Sequence, residues 1–241
     1  MVEPVAIDDL ADALELGSHE LVSLVGGGGK TTALFALGQQ MGPTVVLTTT
    51  TKMGRDRTGG HEPLFSPSIP ELESALARLG SVLAWKEDAG YKAVGVEPEV
   101  CNDWFEAADH VIVEADGSRR MPFKAPRRYE PVVPSHTTTL VACVGAGALG
   151  RPIAEQCQRP DRVVALAGCS TADLLNPARL VGVLLADTGS RKNCPANARF
   201  AVMVNQVGPQ HQVFLDELAE RLGDQAQLVA VAPFGPDGSP E

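Results

Sequence analysis

Apolar and polar positions alternate along the chain between two kinds of segment. Short, nearly continuous apolar runs predict strands: "LVSLV" (21–25), "TVVLT" (44–48), "SVLAW" (81–85), "HVIVEAD" (110–116), "TTLVACVG" (138–145), "RFAVMVNQV" (199–207) and "AQLVAVAPF" (226–234). "YKAVGV" (91–96) reads as a further strand. Between them stand stretches of helical pattern. These are "KTTALFALGQQM" (30–41), "IPELESALARLG" (69–80), "PEVCNDWFEAA" (98–108), "NPARLVGVLLAD" (176–187) and "PQHQVFLDELAERLG" (209–223). Pro70 and Pro177 fall near helix starts, Gly80 and Gly223 at helix ends. Strands that are apolar throughout rather than in alternation are buried on both faces, which requires a parallel or mostly parallel sheet covered by helices on each side. The alternation therefore predicts a doubly wound α/β fold, read as a single domain over residues 1–241.

Two segments break this rhythm. Residues 49–68, "TTTKMGRDRTGGHEPLFSPS", and residues 116–135, "DGSRRMPFKAPRRYEPVVPS", are too long for simple turns. Both follow strands, so both are expected at the carboxyl edge of the sheet, where ligands bind in such folds. The second holds four prolines and five basic residues in a chain whose net charge is −10.

That acidity argues against a nucleic-acid backbone as partner. Hydrophobic content of 44% with 21% charged residues fits a globular protein. No apolar run approaches membrane-spanning length, and the acidic N-terminus lacks a secretory n-region, so a cytoplasmic protein with no membrane association is expected. The five cysteines form no CxxC pair and read as free thiols.

The chemistry concentrates in "LVSLVGGGGKTTALF". Four glycines are costly to order, and they lie between a strand and a helix opened by Lys30, Thr31 and Thr32. Glycines let backbone N–H groups close on an anion, and the helix N-terminus adds unpaired N–H groups and its dipole. Gly26, Gly27, Gly28, Gly29, Lys30, Thr31 and Thr32 are thus candidate nucleotide-binding residues, with Lys30 on the outer phosphates and Thr31 on Mg²⁺. A glycine-rich hairpin or a dinucleotide loop is the alternative. Leu24 stands where GxxxxGK[ST] requires glycine, so the match is to GGxGK[ST]. That form resembles the phosphate loop of metallochaperone and partitioning NTPases, although Val25 replaces their extra lysine.

Glu114 and Asp116 end an apolar strand and are candidate metal-holding acids, with Asp116 also a catalytic candidate. Glu114 and Gly117 form an E-x-x-G pair resembling that of nickel-insertion GTPases. The four threonines 48–51 offer hydroxyls to Mg²⁺ or a γ-phosphate, with Thr49 the candidate ligand. Asn205 resembles the first residue of the guanine-reading N-K-x-D pattern and is a candidate base contact. Gly208 replaces the aspartate, so ATP is the expected nucleotide with GTP as the alternative. Lys124 is taken as a catalytic lysine on a basic loop, one whose removal affects turnover and leaves the melting temperature nearly unchanged.

"VGGGGKTT", "VVLTTTTKM" and "VIVEADGSRRMPFKAPRRYEPVVP" together resemble the selenium-dependent molybdenum hydroxylase accessory proteins, the YqeC family. "CVGAGALGRPIAEQCQRP", with Gly145, Gly150 and Arg159, is similar too. The resemblance implies a nucleotide-binding protein that assists maturation of a molybdenum-containing hydroxylase, with that enzyme or its cofactor-maturation proteins as partners. Three activities fit the residues: an NTP-hydrolysing maturation factor, a kinase or nucleotidyl transferase acting on an anionic acceptor, and a nucleotide-binding scaffold without turnover.

Overall fold

The computed structural model describes residues 1–233. Eight strands form one sheet: β1 (Glu20–Gly26), β2 (Val45–Thr49), β4 (Leu64–Phe65), β5 (Ser81–Trp85), β8 (His110–Glu114), β10 (Thr139–Gly145), β12 (Arg199–Asn205) and β13 (Gln227–Val231). Their spatial order is β13-β12-β10-β1-β8-β2-β5-β4, and every pairing is parallel. The predicted strands occupy it, with the exception of "YKAVGV". That segment supplies β7 (Lys92–Val94) to a separate antiparallel ribbon with β3 (Lys52–Gly54) and β6 (Glu87–Asp88). A third, two-stranded pairing joins β9 (Phe123–Lys124) to β11 (Cys157–Gln158). Phe234, the last residue of the predicted "AQLVAVAPF" strand, lies outside the described residues.

Alternate residues of each strand feed two separate cores. Leu21 and Val25 of β1 face the same side as Val111 and Val113 of β8. There they meet α3 (Ile69–Leu79), α4 (Pro98–Phe105), α7 (Pro177–Leu184) and α8 (Gln212–Leu222) through Leu72, Trp104, Leu180 and Leu218. Val22 and Leu24 face the other side, against Leu34 and Leu37 of α2 (Lys30–Gln40) and Leu10 of α1 (Leu10–Ala13). Burial on both faces is why these strands read as unbroken apolar runs. Two short helices precede α7: α5 (Ile153–Gln156) and α6 (Pro160–Ala167).

The winding fixes the site. From β1 the chain passes over the β8 position to β2, returns to β8 beside β1, and then crosses to β10 on β1's other side. Direction reverses around β1, so the loops leaving β1 and β8 open together at the carboxyl edge. Register makes them neighbours, with Leu24 of β1 beside Glu114 of β8, and Thr49 of β2 beside Glu114 on the far side.

Candidate functional site

A cleft of about 680 Å³ opens at the carboxyl ends of β1, β2 and β8. Three groups of residues line it: 28–32 of the glycine loop; 51–54, 56 and 57 with Lys92; and Glu114, 117–120, Arg127 and Glu130 with Gln158 and Arg159. Both irregular segments thus meet where the strand order predicts. Eight lysines and arginines line the cleft against three carboxylates, although the whole chain has 20 bases and 30 acids. The sign of the charge is reversed locally, which marks a site for anions.

The glycines answer to backbone crowding. Gly28 has φ +42°, and a Cβ there would stand 2.4 Å from the Gly145 nitrogen. Gly29 has φ +94°, and its Cβ would meet the Asn205 amide at 2.1 Å. Gly27 N–H donates to the Cys143 carbonyl and Gly28 N–H to that of Met121, so the first half of the loop is tied to its neighbours. From Gly29 onward the N–H groups open α2, where no intrahelical partner exists and no side chain caps the helix.

Lys30 heads that helix and is buried, at 4% exposure. Its Nζ donates to the Gly26 carbonyl at 2.6 Å and lies 3.3 Å from Asp116 and 3.9 Å from Glu114. Burial alone would lower its pKa, but the Asp116 and Glu114 charges outweigh it and hold Lys30 above its ordinary value. Glu114 accepts from the Thr31 hydroxyl at 2.9 Å. Burial pushes the Glu114 carboxyl up, partly offset by Lys30 and Thr31. Two oxygen donors beside a helix N-terminus are a donor set suited to Mg²⁺, which takes one or two protein oxygens and completes its shell with phosphate and water. Among the described residues no cluster of three or more His, Cys, Asp or Glu could hold a metal.

The other candidates fall in two groups. Asp116 lies beneath the cleft wall, at 1% exposure. Both its carboxylate oxygens receive the Gly26 N–H, at 3.1 and 3.0 Å, and Oδ2 lies 2.9 Å from the Lys124 Nζ. Lys124 is equally buried, bonded also to Glu130 (2.9 Å) and the Gly117 carbonyl (2.9 Å). Arg159 grips Glu130 with two 3.0 Å contacts. The charges alternate in one chain, Lys30–Asp116–Lys124–Glu130–Arg159. Lys124 is therefore a core cation and not an exposed member of a basic loop. The expectation that its removal spares stability is corrected, since it would take a cation from buried Asp116 and half-buried Glu130 at once.

The threonine run resolves in the same structural direction. Thr48 donates to the Ala84 carbonyl, Thr49 to that of Glu114 and Thr50 to that of Val132, each at 2.7 Å. Thr49 is fully buried, and Thr51 is the member that lines the cleft. Asn205 is buried at the end of β12 with its amide against Gly29 and its Oδ1 accepting the Gln206 N–H, so it touches the glycine loop. Sequence reasoning passed over Arg57, Lys92, Glu130 and Gln158 as site residues, and of the threonine run it chose Thr49 where Thr51 lines the cleft. The bases among Lys52–Arg57 and the glutamate of E-P-V-V-P were the available signals.

The family model of the YqeC protein matches residues 22–161, which span the glycine loop, β8 and the 117–130 segment. The chain belongs to the YqeC family. The YqeC protein of Escherichia coli (strain K12) is 30% identical over 213 residues, covering 83% of this chain and 82% of that one. The YqeC match ends just past Arg159, so it includes the whole alternating charge chain. Among the described residues no helix is long and apolar enough to cross a membrane.

Two outcomes follow for the charge chain. Lys124→Ala should lose about 3–5 kcal/mol of stability in denaturant unfolding, whereas Arg128→Ala, an exposed neighbour, should unfold as wild type does. Equal behaviour of the two would contradict the buried network. Glu130 works against its burial, and the Lys124 hydrogen bond with the Lys124 and Arg159 charges holds its carboxyl below the ordinary glutamate range. A lowered folded pKa gives stability that is present above the unfolded value of ~4.3 and is lost as pH falls through the folded value. Glu130→Gln should therefore cost about 1–2 kcal/mol near neutrality, with the gap to wild type closing in acid. A gap independent of pH would count against the charge of Glu130 as its source.

Proposed function

We propose that the cleft binds a Mg²⁺–nucleoside triphosphate and hydrolyses it, and that this serves the maturation of a molybdenum-containing hydroxylase. The observation that carries the reading is the pairing of free helix N–H groups with Lys30 directly beside Thr31 and Glu114. The amides of Gly29, Lys30, Thr31 and Thr32 receive phosphate oxygens. Lys30 turns from the Gly26 carbonyl to the outer phosphates, a short movement for a terminal ammonium. Thr31 and Glu114 hold Mg²⁺, which when bound neutralises charge on the triphosphate. Asp116 and Lys124 act behind the wall, Asp116 by fixing Gly26 and Lys124 by fixing Asp116 and Glu130. Thr49 acts through the Glu114 backbone. Asn205 holds Gly29 at the head of the loop. ATP is the nucleotide this reading favours, with GTP the alternative, because Gly208 has no side chain to read guanine. The maturation role rests on the family, with the hydroxylase or its cofactor-assembly proteins as the partner.

Lys30→Ala should weaken Mg²⁺–ATP binding by about 2–3 kcal/mol in calorimetry, the worth of a charge-assisted contact, and should abolish phosphate release. An unchanged affinity would remove the phosphate-loop assignment.

A further inference from the structure

The cleft holds more positive charge than one nucleotide needs. Its eight bases exceed its three carboxylates by five. A Mg²⁺-bound triphosphate brings about two net negative charges, so a surplus of about three remains. That surplus is not around Lys30, where Glu114 and Asp116 already outnumber the lysine. It is carried in part by Arg119, Arg120 and Arg127, since Arg159 is already paired with Glu130, the carboxylate of this wall among the described residues. These arginines come from residues 119–127, whereas Lys30 heads α2, so the wall is built from a different piece of the chain in the same cleft.

We infer that this arginine wall is a second ligand subsite, for a small molecule bearing a phosphate group, occupied alongside the nucleotide. The inference rests on the nucleotide reading above for what fills the first subsite. Arginine forks match phosphate bidentately and remain charged at any working pH. Two atoms of the cleft wall, Arg159 Nε and Gln158 Oε1, are buried with no hydrogen-bond partner among the described residues, and Gln158 is only 9% exposed. Buried polar atoms are ordinarily satisfied. One of these is a donor and the other an acceptor, which suits a phosphate that also carries a hydroxyl or amine nearby. The β9–β11 pairing sets Gln158 beside Lys124, so the wall is anchored to the same network that fixes the glycine loop. The cleft volume lies within the range of small-molecule sites and far below that needed for a polymer.

The test is equilibrium dialysis of labelled inorganic phosphate against the full chain, with and without Mg²⁺ and the non-hydrolysable β,γ-imido analogue of ATP. The bare protein should bind about two equivalents and the analogue-saturated protein about one, each site being a separate charge-assisted cradle. Arg120→Gln with Arg127→Gln should weaken the retained equivalent by about tenfold or more while leaving the analogue's affinity within about twofold. Clearance of all phosphate by the analogue, or a retained equivalent indifferent to the double substitution, would overturn the second subsite. Should the analogue fail to bind at all, the nucleotide reading falls and the subsite is judged on the bare protein. Lys30→Ala and the arginine pair should then each remove a different one of two equivalents, and a single equivalent would overturn it.

Discussion

The Asp116 carboxylate, held between two buried lysines, is the contact on which the site depends. It accepts the Gly26 N–H on both oxygens and lies within 3.3 Å of Lys30 and 2.9 Å of Lys124. Gly26 is the last residue of β1, so this one group fixes where the strand ends and the glycine loop begins. An ion pair in the interior is a weak source of net stability, because desolvation offsets most of the attraction. What the network contributes is position. The loop is pinned on one side by Asp116 and on the other by the end of β10, through Gly27 to Cys143 and Gly28 against Gly145. A rigid frame of this kind lowers the entropy lost when an anion is bound.

The same network divides the labour of the acidic and basic residues. Acids that a motif would assign to metal serve two ends. Glu114 faces the cleft with Thr31, while Asp116 is turned inward. Bases divide likewise, with Lys124 and Arg159 engaged in ion pairs and Arg119, Arg120 and Arg127 left to the cleft. A protein of net charge −10 carries a cleft of opposite sign because the parallel sheet gathers basic segments at one edge.

Much of this was legible in the sequence, for a physical reason. Strands buried on both faces are written as unbroken apolar runs, and a glycine run signals a close backbone approach, which Gly28 makes to Gly145 and Gly29 to Asn205. The same rules failed where tertiary contacts decide. Lys124 and Arg128 are alike as letters four residues apart, yet one is buried in ion pairs and the other exposed. The four threonines suggested hydroxyls for a ligand, but three of them tie β2 to the backbones around it. Helix α6 escaped notice as an eight-residue segment that follows the short β11 and not a strand of the main sheet, although Val163 is buried and Val164, Leu166 and Ala167 pack against the same core. Arg159 and Gln158 could be placed only once β11 was seen to pair with β9.

The most direct measurement is a crystal structure of the full chain grown with Mg²⁺ and the β,γ-imido analogue of ATP. The account predicts the triphosphate against the amides of residues 29–32. The Lys30 Nζ should have left the Gly26 carbonyl for a phosphate oxygen, with Asp116 still on the Gly26 N–H. A nucleotide bound elsewhere, or one bound in the cleft with Lys30 unmoved and Asp116 released into it, would contradict the account.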